Sequence, residues 1–371
     1  MLRRFELLLL FTLLGGTALG GCSSYQRFDS SANLKSEYVK RLGPEIAARM
    51  EVPYDLNDAI RANLAKKFHA GATDQERLLA VRDFIFGRLN LQYSLLPTRS
   101  AIETYEARQG NCLSFVNLFV GIAREEGLNP FYVEVTDLQK WNRRGGMVVS
   151  QGHIVAGMYV DGTLATYDFL PYKPKAYKNF KPIDDRTATA HFYNNLGAEA
   201  LLAGDVEKAQ QLIEIAVGVA PDFAKALNNL GVCYARRGQI ERALEVYQRG
   251  LALDPNDTLI LTNLARSYQQ TGRKDEALAI LQRIEGANTT NPYFFIYEGD
   301  LALSQGETQK ALDYMVRAFR QDSEIPEVHL GFVKVYLALG DVDKARHYLE
   351  RALKLDATNP EARELARLLA K

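Results

Sequence analysis

One period dominates this chain. Glycine recurs at Gly204, Gly238, Gly272, Gly306 and Gly340, and alanine at Ala209, Ala243, Ala277, Ala311 and Ala345, both in steps of 34 residues. Two residue types held in phase five times define a repeat array. Each unit of such an array is one supersecondary element that cannot bury its apolar face alone, so it stacks on the next.

The pattern resembles the tetratricopeptide family, whose unit is a pair of antiparallel helices, A and B. On that resemblance the repeats begin near Ala190, Ala224, Thr258, Pro292 and Pro326. Residues 189–359 then form an all-α solenoid of five repeats, with 360–371 as a capping helix over the last open face. The periodic glycine sits where helix A turns into helix B, and glycine takes positive φ without steric cost. The periodic alanine sits where the two helices cross and a larger side chain would separate them. A second small residue occupies helix A at Gly197, Gly231, Ala265 and Gly299, with Val333 in the fifth repeat. Pro221 and Pro255 end the first two repeats, whereas Pro292, Pro326 and Pro360 fall three residues later in phase. Arrays of this kind bind an extended peptide or a partner helix on a concave face. The polar candidates for that face are Asn195, Lys225, Asn229, Arg236, Asn263 and Arg266. Cys233, on a repeat helix, reads as packing.

The chain starts MLRRFELLLLFTLLGGTALGGCSS. Arg3 and Arg4 precede an apolar run, Leu7–Leu14, too short to span a bilayer, and small residues follow it. This is the layout of a secretory signal. Leu19-Gly20-Gly21-Cys22 resembles the lipobox of bacterial lipoproteins. That implies a signal peptide at 1–21 and a diacylglycerol on the Cys22 sulfur. Ser23 stands where an aspartate would retain such a protein at the inner membrane, so the resemblance implies an outer-membrane anchor with the body facing the periplasm. Residues 22–51 are polar and read as a tether. Lys plus Arg and Asp plus Glu each number 45, so neither a nucleic-acid-binding nor a polybasic face is expected. With Cys22 lipidated, Cys112 and Cys233 are too few for a disulfide framework.

Residues 52–172 do not follow the period and form a separate domain, joined to the array by a lysine- and proline-rich linker at 173–188. Thr73-x-x-Glu76 and Ser100-x-x-Glu103 are capping boxes. The first opens a helix with Leu78, Val81, Ile85 and Leu89 on one face; the second opens a short helix ending at Gly110. A third helix runs from about Cys112 to Glu126. Phe131–Thr136 alternates as a strand, and Asp161-Gly162 between His153–Val160 and Thr163–Phe169 signals a β-hairpin. Cys112 then lies at a helix start, where free N–H groups and the helix dipole favour a thiolate. A two-residue turn sets Val155 opposite Asp168, so His153 and Asp168 become diagonal neighbours on one face, about 7–8 Å apart at the backbone. Cysteine, histidine and an orienting acid are the parts of a nucleophilic triad. His191, His329 and His347 fall in the repeats and His69 near a helix end, so none competes with His153 as the base. Gln109 is a candidate oxyanion donor, and Trp141, in the loop before the histidine strand, is a candidate cleft residue. No phosphate-binding glycine loop, HExxH motif or clustered His and Cys pairs are present, so no metal and no cofactor are expected.

At these residues the chain resembles the transglutaminase-like superfamily of cysteine enzymes. Ala101-x-Glu103-Thr104-Tyr105-x-x-Arg108-x-Gly110-x-Cys112, followed by Phe119, Arg124 and Gly127, is similar to its nucleophile helix. His153–Tyr159 is similar to its histidine strand and Tyr167-Asp168-x-x-Pro171 to its aspartate strand. The family often has an aromatic two residues after the histidine and a proline directly after the aspartate; here those places hold Val155 and Phe169. The resemblance implies an α+β transglutaminase-like, papain-like domain ahead of the tetratricopeptide solenoid. It also implies a cysteine hydrolase acting on amide bonds through Cys112, His153 and Asp168. The alternatives are a non-catalytic scaffold and an acyl-transferring transglutaminase. The two halves are expected to separate, with 23–188 keeping the thiol chemistry and 189–371 the partner affinity.

Overall fold

The computed structural model of the protein describes residues 31–65, 72–144, 147–160, 163–170, 177, 179–286, 289 and 291–369, without the side chains of 136–144, 147–151, 160, 285 and 286. The signal segment 1–21, Cys22, His69, the Trp141 side chain and the Asp161-Gly162 turn lie outside this description. The chain divides into two compact units. One comprises 1–139 with 151–255, the other 140–150 with 256–371. The division thus falls after the second repeat, not at the linker where the sequence suggests it.

The first unit opens with α1 (Ser31–Leu42) and α2 (Pro44–Ala48). The segment read as a tether is therefore helical from Ser31. Leu34 and Tyr38 are fully buried, and the Tyr38 hydroxyl lies 2.7 Å from Thr189 Oγ1. Only these two positions of α1 are buried, too narrow a stripe to stand out among Lys35, Glu37 and Lys40. After α3 (Asp58–Ala65), both arms of the Thr73 capping box start α4 (Asp74–Arg82), which continues as a π-helical turn, Asp83–Arg88. Leu78, Val81, Ile85 and Leu89 are all buried. The Ser100 capping box starts α5 (Ala101–Ala107). Next come a short parallel pair, β1 (Gln92–Tyr93) with β2 (Gln109–Gly110), and α6 (Cys112–Glu125).

The main sheet contains β3 (Phe131–Arg144), β4 (Met147–Val160), β5 (Thr163–Tyr167) and β6 (Phe180–Ile183), in the order β5-β4-β3-β6. Val160 pairs with Thr163 and Ala156 with Tyr167, the register a two-residue turn imposes. β6 runs antiparallel to β3, with Tyr132 opposite Ile183. The whole of this edge strand lies in the stretch read as linker, where lysines and prolines hide a four-residue strand.

The repeats follow at α7 (Asp185–Leu202), α8 (Val206–Val219), α9 (Ala224–Arg236) and α10 (Ile240–Leu253) in the first unit. The second unit carries α11 (Thr258–Gln270), α12 (Lys274–Gly286), α13 (Pro292–Ser304), α14 (Thr308–Gln321), α15 (Pro326–Ala338), α16 (Val342–Leu355) and α17 (Pro360–Leu369). The five periodic glycines have φ between 72° and 85°, so the A-to-B turn at each needs a residue without Cβ strain. All five periodic alanines are buried. Pro292, Pro326 and Pro360 open α13, α15 and α17, where a missing N–H costs nothing. Their role is initiation, whereas Pro221 and Pro255 follow the ends of helices. Val333, the departure in the fifth repeat, packs with Ala345, Leu349 and Ala362 beneath α17.

The first repeat is built into the α+β part. Helix α7 begins before position 189, capped by Asp184, whose side chain accepts from the Thr187 N–H. Besides Tyr38–Thr189, the Glu51 N–H donates to Tyr193 Oη at 2.7 Å and the Thr98 N–H to Glu199 Oε1 at 2.7 Å. Arg124, on α6, forms a bidentate pair with the fully buried Asp185 at 2.9 and 2.8 Å. A cut between 188 and 189 falls inside α7 and separates the Tyr38–Thr189, Glu51–Tyr193 and Thr98–Glu199 contacts, while Arg124 and Asp185 stay together on its N-terminal side.

Candidate active site

Cys112 is the first residue of α6. Asn111 caps the helix: its Oδ1 accepts from the Ser114 N–H at 3.0 Å and from Ser114 Oγ–H at 2.9 Å. Gly110 allows this approach, since a Cβ there would stand 2.5 Å from Ser114 Cβ. Behind the nucleophile the helix is buried almost continuously from Leu113 to Ala123, which fixes its axis. Cys112 itself is partly exposed, as a nucleophile must be.

His153 comes from β4 and is buried. Its Nε2 lies 2.9 Å from Asp168 Oδ1, and the Cys112 thiol is within hydrogen-bond reach of the same ring. With Nε2 given to the carboxylate, Nδ1 is left for the sulfur. Asp168 sits one residue past β5, opposite Val155 if the β4–β5 register is continued, and the diagonal relation to His153 read from the sequence brings the two together. Asp168 Oδ1 also accepts from the Leu170 N–H at 3.1 Å, and the Tyr177 hydroxyl donates to its Oδ2.

The charges follow from this geometry. Burial pushes the His153 pKa down, but Asp168 and Cys112 outweigh it and raise the value to about 9. Burial raises the Asp168 carboxyl, and His153, Tyr177 and the Leu170 N–H together bring it below its ordinary value. The pair is therefore held as imidazolium and carboxylate. The places where the sequence departs from the family pattern serve packing. Phe169 is buried against Phe86, Phe115 and Phe119, with ring centroids 5.4, 6.2 and 5.8 Å away, and so anchors the Asp168 loop. Val155 is fully buried with Phe131, Val133 and Val135.

Gln109 lies on β2, half-buried, and its carbonyl accepts from Arg99 at 3.4 Å. Tyr177 was not visible to sequence reasoning, because it falls in the stretch read as linker and belongs to no periodic pattern. Cys233 is fully buried on α9, and burial pushes its thiol up to about 12. Several of the polar residues proposed for a partner face make internal contacts. Lys225 pairs with Glu134 of β3, Asn229 Nδ2 donates to Asn194 Oδ1 at 2.9 Å, and Arg236 donates to the Leu201 carbonyl at 3.0 Å. Asn195 and Asn263 are half-buried and Arg266 is exposed.

Residues 62–172 match the transglutaminase-like superfamily. Residues 194–258, and again 235–295 and 302–370, match the tetratricopeptide repeat. Among solved structures, the chain is similar to a thermophilic tetratricopeptide-repeat protein of Thermus thermophilus, at 22% identity over 49% of this chain and 98% of that one, with a TM-score of 0.43. It is also similar to Pseudomonas aeruginosa pilF, at 23% identity over 50% of this chain and 84% of that one, with a TM-score of 0.42. No curated protein sequence matches. The chain carries a transglutaminase-like domain followed by tetratricopeptide repeats.

Proposed function

We propose that this protein is a cysteine hydrolase acting on amide bonds of a protein or peptide, anchored through Cys22 to the outer membrane and facing the periplasm. The observation that carries the catalytic part is the shared imidazole: Asp168 at Nε2, Cys112 on the same ring, and the sulfur at the first turn of α6. Cys112 Sγ, having passed its proton to His153, attacks the amide carbonyl. The oxyanion that forms is met by the N–H groups of Cys112 and Leu113, which by helix geometry have no intrahelical acceptor, with Gln109 as a further candidate donor. His153 gives its proton to the leaving amine and a thioester remains on Cys112. His153, now neutral, takes a proton from water as that water attacks the thioester; the C–S bond breaks with its electron pair going to Cys112 Sγ, the acid is released and the starting imidazolium is restored. Asp168 holds the imidazole in place throughout. The repeats supply docking for a protein or peptide partner, with Asn195, Lys225, Asn229 and Arg236 as polar candidates in the first unit and Asn263 and Arg266, separately, in the second.

The test is mass spectrometry of the intact protein after brief incubation with a periplasmic peptide pool. An acyl adduct on Cys112 that hydroxylamine removes, and that is absent from Cys112→Ala, supports the reading. Peptide amines appearing on the products in place of water would make it an acyl transferase. No adduct and no turnover would leave a binding scaffold.

A further inference from the structure

The nucleophile helix is held at both ends by the first repeat helix. At its C-terminal end Arg124 meets Asp185, which is fully buried. At its N-terminal end runs a relay of three links. Glu199 Oε1 on α7 accepts from the Thr98 N–H at 2.7 Å. Thr98 Oγ1 accepts from Asn111 Nδ2 at 2.8 Å. Asn111 Oδ1 then caps α6 at Ser114 N–H, with Cys112 between the two. Thr98 and Asn111 are 3% and 7% exposed, so water cannot replace a lost bond without the loop opening. The Glu199 link is the charged one, and carboxylate-to-amide bonds are the stronger kind.

We propose that Glu199, a residue of the first repeat, is a positioning residue for the Cys112 nucleophile, acting through Thr98 and Asn111. The inference rests on Cys112 being the nucleophile. Asn111 has two demands on one amide: its oxygen must face the helix N–H groups, and its nitrogen needs an acceptor. Thr98 Oγ1 at 2.8 Å is the nearer acceptor, the Leu95 carbonyl at 3.4 Å the more distant one, and Glu199 ties Thr98 to α7. With Glu199 in place, the amide has one orientation and the first turn of α6 one geometry. Without it, the 94–100 loop loses its tie to α7 and the cap becomes free to rotate. The first repeat is then part of the catalytic machinery, and the nucleophile is tuned from outside the transglutaminase-like domain.

The experiment measures the rate of Cys112 alkylation by iodoacetamide in the full chain, alongside a thermal melt of each variant. Glu199→Ala should slow alkylation about tenfold, and Glu199→Gln, which keeps an acceptor oxygen, should restore it to within about twofold. Thr98→Val breaks the next link and should match Glu199→Ala. The double variant should be no slower than either single one, because one relay is being broken twice. Tyr193→Phe removes another α7 contact, the bond from the Glu51 N–H, and should lower the melting temperature while leaving alkylation at the wild-type rate. Alkylation of Glu199→Ala at the wild-type rate, additive singles, or equal slowing in Tyr193→Phe would overturn the positioning role. Should Glu199→Ala fail to fold, Thr98→Val alone decides. A wild-type Cys112 no more reactive than Cys233 would instead refute the nucleophile itself.

Discussion

Asp168 sets the charge of His153, and three hydrogen bonds set the charge of Asp168. Folded His153 keeps its proton to about pH 9, while an unfolded histidine releases it near 6.5. Its contribution to stability is therefore complete below pH 6.5 and is lost as pH rises through 9. Asp168→Asn removes the main group that raises the histidine. Urea titrations between pH 6 and 10 should show the wild type losing stability with a steeper slope than Asp168→Asn, and parallel slopes would contradict the assigned charges. In the same variant the alkaline limb of any hydrolytic activity should move below pH 9. The sequence contained most of this site. Cys112 was marked by its place at a helix start, and His153 and Asp168 by the register of one hairpin. Tyr177 was not marked, because its contact with Asp168 depends on how the chain returns from β5 to β6, which no local spacing encodes.

Elements were legible where a period or a cap fixed them. The A helices of the last four repeats begin at Ala224, Thr258, Pro292 and Pro326, on the 34-residue register. Both capping boxes start helices. Short or partly polar elements escaped: α1 buries two residues of twelve, and β6 has only four. The π-helical turn at Asp83–Arg88 also escaped, since its burial pattern is the one an α-helix gives. The crossing of A and B helices yields a prediction that sequence alone would get wrong. Gly231 and Gly299 occupy the same repeat position, but a Cβ at Gly231 would stand 2.3 Å from the Tyr247 ring, whereas at Gly299 it meets the tip of Met315. Tyr247 is buried and its ring cannot bend, while a methionine end can rotate away. Gly231→Ala should cost about 1–3 kcal/mol, the usual penalty of overpacking. Gly299→Ala should be close to neutral, since the better helix propensity of alanine, worth about 1 kcal/mol, offsets the adjustment. Urea melts of the two variants check this, and equal losses would contradict it.

At the scale of the whole molecule, the boundary between enzyme-like and repeat-like sequence is not a boundary of structure. The first two repeats share a compact unit with the transglutaminase-like domain. A fragment ending at residue 255 should fold and keep Cys112 reactive, while one ending at 188 should lose both. Circular dichroism and thiol labelling of the two fragments would show the difference, and a reactive, folded 188 fragment would contradict it. Composition could not reveal this, because the contacts that join the parts are single pairs far apart in sequence, such as Arg124 with Asp185 and Thr98 with Glu199. The proposed membrane attachment rests on Cys22. Cys22→Ala should leave the protein unprocessed or release it from the membrane fraction, and a processed, acylated variant would rule the lipobox out. The proposed chemistry makes Cys112 a nucleophile activated by His153. Its most direct test is site-resolved iodoacetamide labelling of the native full-length protein at pH 6, wild type against His153→Ala. Wild-type Cys112 should react about tenfold or more faster than a free cysteine at that pH, buried Cys233 should stay unmodified, and His153→Ala should remove the advantage of Cys112. Equal, slow labelling of both cysteines, unchanged by His153→Ala, would contradict it.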